Sequence, residues 1–248
     1  VDQALHLVRV HDEARAVAVL RTHLASHPDD LRARRLLVRV LALGGDMGAA
    51  RAEVARLADL LGPSDPTPWI ELGHACELTH AFEEALEAYD EAAQRAPASP
   101  AGPREGGLRA ARWGEAEAAI PRLEEAVRRG AKDPEVFHAL GLARLRIGDA
   151  DGAEAAYRAG VAADPDSAEN VLGLATVALT RSDWAGALRA YEILCAKRPT
   201  FAPAELGRAF ALAKLGRIRE ARAALDRAEE LGAPRENVAK QRSALAGR

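Results

Sequence analysis

The sequence holds two cysteines, one methionine and four lysines in 248 residues. Cys76 and Cys195 stand far apart, with neither a CxxC pair nor a cysteine–histidine zinc spacing around them, so neither a disulfide framework nor a zinc site is readable. Apolar runs are short, and none approaches the roughly 18 successive residues that a membrane-spanning helix needs. An excess of one charge is also missing. The 34 basic and 37 acidic side chains leave a formal net charge of −3, which offers no general attraction to phosphate backbones or anionic lipid and argues against nucleic acid as a partner. Arginine supplies all but four of the basic residues, and with the heavy use of alanine and glycine this points to a GC-rich bacterial genome. The chain begins at Val1 rather than methionine and no charged-then-apolar leader follows, so a processed or trimmed form is expected. Its compartment is left open between the cytoplasm and, if a leader was removed, the periplasm or outer membrane.

What is present is a chain with 48% hydrophobic and 29% charged residues, too apolar to stay disordered and too interrupted by charge to span a bilayer. It is also self-similar. PTPWIELGHACELTHAFEEALEAYDEAAQRAP from Pro66 and PEVFHALGLARLRIGDADGAEAAYRAGVAADP from Pro134 align without gaps at an offset of 68, twice 34. Trp69 then matches Phe137, Leu72–Gly73 matches Leu140–Gly141, Ala85 matches Ala153, Tyr89 matches Tyr157 and Pro97 matches Pro165. Steps of 34 carry the pattern to Val171, Ala187 and Tyr191, then to Ala209, Leu212, Ala221 and Leu225. Backwards it reaches Leu37, Val38, Leu41, Ala50 and Val54, with Asp65 as one extra residue, and then Ala4, Leu7, Ala16, Leu20 and Pro28.

These residues resemble the tetratricopeptide repeat family, whose 34-residue unit carries an aromatic at slot 4, Leu-Gly at 7 and 8, Ala at 20, an aromatic at 24, Ala at 27 and Pro at 32. The resemblance covers residues 1–236 and implies an all-α fold, a right-handed α-solenoid of about seven helix-turn-helix units, the first incomplete. The units lie near 1–30, 31–65, 66–99, 100–133, 134–167, 168–201 and 202–235, with a capping helix over 236–248, all as one array. The physics of the pattern stands apart from the name. Slots 4, 7, 8 and 11 share one face of a first helix, and slots 20, 24 and 27 share one face of a second. Small residues at 8 and 20 let the helices approach. Glycines near slot 15 (Gly45, Gly148, Gly216) suit the left-handed turn between them. Asp133-Pro134 and Asp164-Pro165 read as a capping carboxylate before proline. Arg208 falls on a leucine slot, which predicts a rotated first helix in the last unit.

The stretch APASPAGPREGG, Ala96–Gly107, has the composition of a linker, yet residues 100–133 number 34, the full period. It is therefore read as a degenerate unit with a late-starting first helix, and a second helix kinked by a buried Pro121 at a cost of about 3 kcal/mol.

Repeats fill the chain, and no GxxxxGK[ST], HExxH, GxSxG or EF-hand spacing occurs, so no catalytic residue, metal or cofactor is assigned. A metal-dependent enzyme is the remote alternative. His23 and His27 lie four apart on a helix but lack a third ligand. Cys76 fills a buried slot and His80 the turn after it, and Cys195 reads as a small buried side chain.

In the resembling family the first helices line a concave groove, through slots 2, 5, 9, 12 and 13. Carried over residue by residue, those slots hold Arg32, Arg35 and Arg39; Thr67, Ile70, His74 and Glu77; Arg104, Leu108 and Arg112; His138, Leu142, Leu145 and Arg146; Leu172, Thr176 and Leu179; and Leu206, Phe210 and Lys214. Arg35, Arg39, His74, Arg104, Arg112, His138, Leu142, Arg146, Leu172, Thr176, Leu179 and Phe210 are the predicted partner-binding residues. They read as arginine-rich through the second to fifth units and apolar in the sixth and seventh. Slot 9 is never asparagine, so the family's carboxylate clamp for a chaperone terminus is not expected. The acidic run Glu83, Glu84, Glu87, Asp90 and Glu91 falls on a second helix and reads as an outer, solvated face. The resemblance thus implies a non-catalytic scaffold or adaptor, monomeric or weakly dimeric, for a protein or peptide with acidic and apolar groups. A more specific form resembles the pilotin-like lipoproteins that assist pilus secretin assembly.

Overall fold

In the computed structural model, residues 1–246 are described, Ala246 by its backbone alone, and these residues form fifteen α-helices and no strand. Seven pairs follow one another: α1 (Asp2–Arg9) with α2 (Glu13–Ser26), α3 (Leu31–Leu43) with α4 (Met47–Leu61), α5 (Thr67–Leu78) with α6 (Phe82–Arg95), α7 (Ala101–Trp113) with α8 (Ala116–Arg128), α9 (Pro134–Arg146) with α10 (Ala150–Ala163), α11 (Ala168–Thr180) with α12 (Trp184–Lys197), and α13 (Ala202–Lys214) with α14 (Ile218–Glu230). Helix α15 (Arg235–Ala246) closes the described chain. Residues 247 and 248 of the predicted capping helix lie outside it.

Each pair turns on one left-handed residue. His11, Gly45, His80, Gly114, Gly148, Ser182 and Gly216 all have φ between 57° and 94°. Successive members are 34 residues apart except Gly45 and His80, where Asp65 makes the step 35. The turn closes by the six-residue bond of a Schellman cap, as when Asp46 N–H donates to Leu41 O and Ala81 N–H to Cys76 O, each at 2.9 Å. Glycine adopts this conformation freely, whereas for His11, His80 and Ser182 it costs roughly 1–2 kcal/mol each. The next residue begins the second helix. Asp12, Asp46, Asp149 and Asp183 accept a bond from the backbone N–H three residues on, capping α2, α4, α10 and α12.

Two of the expected caps differ. Asp133 precedes α9 without a side-chain cap bond, because Pro134 supplies the preset φ at the first helical position instead. The Asp164 carboxylate accepts from Asp166 N–H at 2.9 Å, closing the turn ahead of α11 rather than capping the helix.

Slots 8 and 24 meet as the repeat pattern requires. Tyr89 and Tyr157 are buried against Gly73 and Gly141, where an added Cβ would stand 2.5 and 2.6 Å from the ring. The helix of the following unit also presents glycine to the same ring, Gly173 to Tyr157 and Gly207 to Tyr191. One flat side chain thus fills the space that three helices leave around two missing Cβ atoms.

The Pro- and Gly-rich stretch is helical from Ala101, so the late start predicted for α7 is wrong. Pro103 lies in the first turn, where an N–H has no intrahelical acceptor, and its absence costs nothing. Gly102 and Gly107 serve close approach: a Cβ at Gly102 would stand 2.5 Å from Ala93 N of α6, and one at Gly107 2.7 Å from Leu123 Cγ of α8. Pro121 is exposed, not buried, and α8 continues through it, leaving only the Glu117 carbonyl without its helical donor.

At the end of the chain Val238 and Leu245 of α15 are buried, while Ala244 is exposed. Helix α13 is not rotated: Ala209 and Leu212 remain buried, and Arg208 ion-pairs with Glu205 at 3.0 Å. The chain divides into two compact units, Val1–Trp113 with Pro121–Ala131, and Gly114–Ile120 with the residues from Lys132 onward. The division passes through α8.

Candidate functional site

In the first unit the predicted face is built around a buried carboxylate that the repeat pattern did not single out. Glu71 of α5 has a fully buried side chain. It accepts from Arg35 Nε at 2.7 Å and from Arg39 Nε and Nη2 at 2.7 and 3.0 Å. Arg39 Nη2 also lies 3.2 Å from His74 Nδ1. Burial alone would push the Glu71 carboxyl up, but His74, with Nδ1 4.0 Å from Oε2, and the two arginines bonded to it hold it down at about 2. Burial pushes the His74 imidazole down, and Glu105 and Glu71 overcome it and raise the group above its ordinary value. His74 Nε2 faces Glu105 Oε2 at 3.6 Å, and Glu105 meets Arg104 at 2.7 Å and Arg109 at 3.3 Å. Arg109 reaches Glu77 at 3.0 Å, and the Tyr89 hydroxyl donates to Glu77 at 2.5 Å.

Arg35, Arg39, His74 and Arg104 therefore belong to one continuous ionic network spanning α3, α5 and α7. The side chains of Arg35 and Arg39 remain 47% and 41% exposed while anchored from beneath by Glu71. Arg112, on the last turn of α7, is exposed. Sequence reasoning named these cations and missed their counterions. The available signal was a glutamate on slot 6 in two successive units, Glu71 and Glu105.

In the second unit the predicted residues lie on α9, α11 and α13. His138 is partly buried beside Tyr157, ring centroids 5.9 Å apart, and burial pushes its imidazole down despite Glu169 and Glu135 nearby. Leu142, Leu172 and Leu179 are half-buried, Arg146 is exposed, and the Thr176 hydroxyl donates to Leu172 O at 3.0 Å. Leu179 and Phe210 share a cleft of about 490 Å³ with Leu206, Gly207 and the α15 residues Asn237, Lys240, Gln241 and Ala244. Gln241 Nε2 donates to Leu206 O at 3.3 Å, tying α15 to the wall it helps form. Phe210 is 37% exposed and stands edge-on to Trp184, and the Lys214 ammonium lies 5.3 Å from the Trp184 ring and 5.4 Å from the Phe210 ring. The last helix was expected only to cap the core, so its part in this cleft is new.

The histidine pair forms a local structure of another kind. His23 Nε2 meets Asp30 Oδ2 at 2.7 Å while its ring stacks on His27, and the other Asp30 oxygen caps α3 by accepting from Ala33 N–H. Cys76 is buried and Cys195 partly so, and burial pushes the Cys195 thiol up to about 11. Among the described residues no group of three His, Cys, Asp or Glu is arranged to hold a metal ion, and no helix is long and apolar enough to cross a membrane.

Solved structures with the same fold are numerous. The C-terminal part of a TPR repeat-containing protein from Cytophaga hutchinsonii superimposes with a TM-score of 0.72 at 16% identity, over 97% of this chain and 98% of that one. YrrB, described as a TPR protein with an unusual peptide-binding site, gives 0.66 at 16% identity over 77% and 97%. PilW, described as a widely conserved type IV pilus biogenesis factor, gives 0.57 at 16% identity over 78% and 89%. None of the curated proteins compared with the chain is similar to it in sequence. The family model for the tetratricopeptide repeat matches residues 1–67, 105–168 and 172–236. That match takes in most of the chain, and the repeated left-handed turns and tyrosine–glycine contacts accompany it: the chain belongs to the tetratricopeptide repeat family.

Proposed function

We propose that this chain is a non-catalytic interaction scaffold or adaptor that holds a protein or peptide segment against the faces of its first helices. The observation that carries the reading is the α11–α13–α15 cleft, where Leu179, Leu206 and Phe210 offer apolar contact beside the polar groups of Asn237, Lys240 and Gln241. A few convergent polar groups over an apolar floor are what a peptide side chain and its flanking backbone need. The α3–α5–α7 network supports an acidic feature in the ligand, because two exposed guanidiniums share the single Glu71 carboxylate and leave an excess of positive charge there. YrrB, which shares the fold, is described as having a peptide-binding site, in keeping with this reading at the level of fold. That the repeats act as one array over residues 1–248 is part of the proposal, supported by the left-handed turns that recur at the same spacing in both units.

The test is affinity capture from the source cells with the native chain and with Phe210→Asp as baits, followed by mass spectrometry. Proteins lost with Phe210→Asp while the helical circular-dichroism signal is kept are partners of this face. Identical captured sets would sink the reading. Reversing Arg35 or Arg39 would be a poor test of the cationic end, since either change strands the buried Glu71 charge; Arg112→Glu probes that end without doing so. A narrower reading, an outer-membrane assembly factor for a pilus or secretion secretin, takes its support from the likeness to PilW, which is one of fold. Deletion of the gene leaving secretin multimers unchanged would remove it.

A further inference from the structure

We propose that a cleft between α10 and α12 of one copy of this chain receives the acidic face of α6 from another copy, so that copies associate head to tail. The cleft lies on the second helices, apart from the face discussed above. Helices α10 and α12 each pack on α11 rather than on each other. The opening between them, of about 580 Å³, has Val161, Leu174 and Ile193 on its apolar floor. Ile193 is 46% exposed, which a closed surface would not leave in water.

The rim is cationic. Along α12 the lining residues Arg189, Ile193 and Lys197 follow at i, i+4 and i+8, a cation–apolar–cation stripe about 12 Å long at 1.5 Å per residue. Arg158 of α10 and Arg181, just after α11, face it from the other side. Two carboxylates also line the cleft, and both are already engaged. Glu154 is bridged by Arg158 at 2.5 Å and by Arg181, and Asp183 caps α12 by accepting from Gly186 N–H at 2.8 Å. Among the described residues Lys197 pairs with Asp166 alone, whose side chain is 84% exposed, and exposed pairs of this kind are worth about 0–1 kcal/mol and exchange readily. Arg189 makes no ion pair among the described residues, and its charge is unbalanced.

The complementary stripe is carried by the chain itself. On α6, Glu83, Glu87 and Glu91 follow at the same i, i+4 and i+8 spacing, with Leu86 between them and Phe82 at the start, 42% exposed. Glu83 and Glu87 are exposed and pair with no cation among the described residues, while Glu91 meets only Arg95 at 2.7 Å on the surface. Glu83 and Glu91 therefore stand two turns apart, as Arg189 and Lys197 do, and an apolar side chain lies between the charges on each partner, Leu86 on α6 and Ile193 on α12. The two surfaces lie on different parts of the chain, so the contact is heterologous. A copy that gives α6 keeps its own cleft open, and association continues beyond a pair unless a ring closes.

Sedimentation velocity of the purified chain over a wide concentration range, at low and at high salt, tests this. The average mass should climb past that of a dimer at low salt and fall back at high salt, because exposed charge pairs are screened. Arg189→Glu with Lys197→Glu, and separately Glu83→Lys with Glu87→Lys, should each raise the concentration needed for association by about tenfold or more. Mixed together, the two variants should associate again at concentrations where each alone does not, since the native α6 of one fits the native cleft of the other and the reversed cleft is complementary to the reversed α6. A native chain that stays monomeric throughout overturns the proposal, as does a variant that assembles like the native chain. A salt-insensitive dimer lost in Phe210→Asp would also overturn it, assigning self-contact to the first-helix face. Partner capture on that face should survive in the Arg189→Glu, Lys197→Glu variant, which separates failure here from failure of the adaptor reading.

Discussion

Arg39 grips Glu71 with two nitrogens, Nε at 2.7 Å and Nη2 at 3.0 Å, joining the face of α3 to a carboxylate that has no contact with water. The geometry is a fork on a carboxylate, and Arg35 adds a third bond. The cations of this face are thus held by the fold and not by solvent alone.

Glu71→Gln should therefore destabilise the protein. It removes the buried charge that balances Arg35 and Arg39, and breaking such a pair costs about 3 kcal/mol or more. Urea unfolding followed by circular dichroism reads the loss. A change below about 1 kcal/mol would mean that water serves the two arginines as well as Glu71 does.

The same cluster sets a pH window. Glu71 is held down at about 2 from an ordinary 4.5, so its contribution is present above pH 4.5 and is lost as pH falls through 2. His74 is raised above an ordinary 6.5, so its contribution is present below 6.5 and is lost as pH rises through the folded value. Stability should peak between these limits and decline on the alkaline side as His74 gives up its proton. His74→Gln should flatten that alkaline decline, and an unchanged slope in denaturation curves taken on either side of neutrality would remove His74 from the account.

Gly102→Ala and Gly107→Ala should each destabilise by about 1–3 kcal/mol, although alanine is the better helix former by about 1 kcal/mol. The added Cβ would meet Ala93 N at 2.5 Å or Leu123 Cγ at 2.7 Å. Differential scanning calorimetry distinguishes the signs: a higher melting temperature in either variant would show that α7 can move away from its neighbours at little cost.

Pro121→Ala should stabilise the α7–α8 pair by about 1–3 kcal/mol, because the ring is exposed and the substitution returns a hydrogen bond to the Glu117 carbonyl. In the native chain, amides of α7 and α8 should exchange faster than those of α5–α6 and α9–α10. Equal protection across the three pairs would show that the proline and the glycines leave no weak point.

The helices themselves were legible in the sequence, because each is specified by neighbours three and four residues apart and each turn by one residue that tolerates a positive φ. The regular interval from His11 to Gly216 can be counted along the chain itself, even where histidine or serine stands in for glycine. The stretch from Ala96 to Gly107 misled composition for a physical reason. Proline costs a helix nothing in its first turn, and glycine favours a helix that must pack closely, so the residues that break an isolated helix are suited to this one.

The sequence by itself determined the period, the pairing of helices and which slots turn inward, since these follow from local spacing repeated along the chain. Only the tertiary structure decided what each face is worth chemically. Arg35 and Glu71 lie 36 residues apart, Leu179 comes to share a cleft with Gln241, and the α10–α12 opening exists because both helices lean on α11. Those relationships depend on distances through space between separate helices, and a charge or an apolar side chain acquires its role from what stands opposite it.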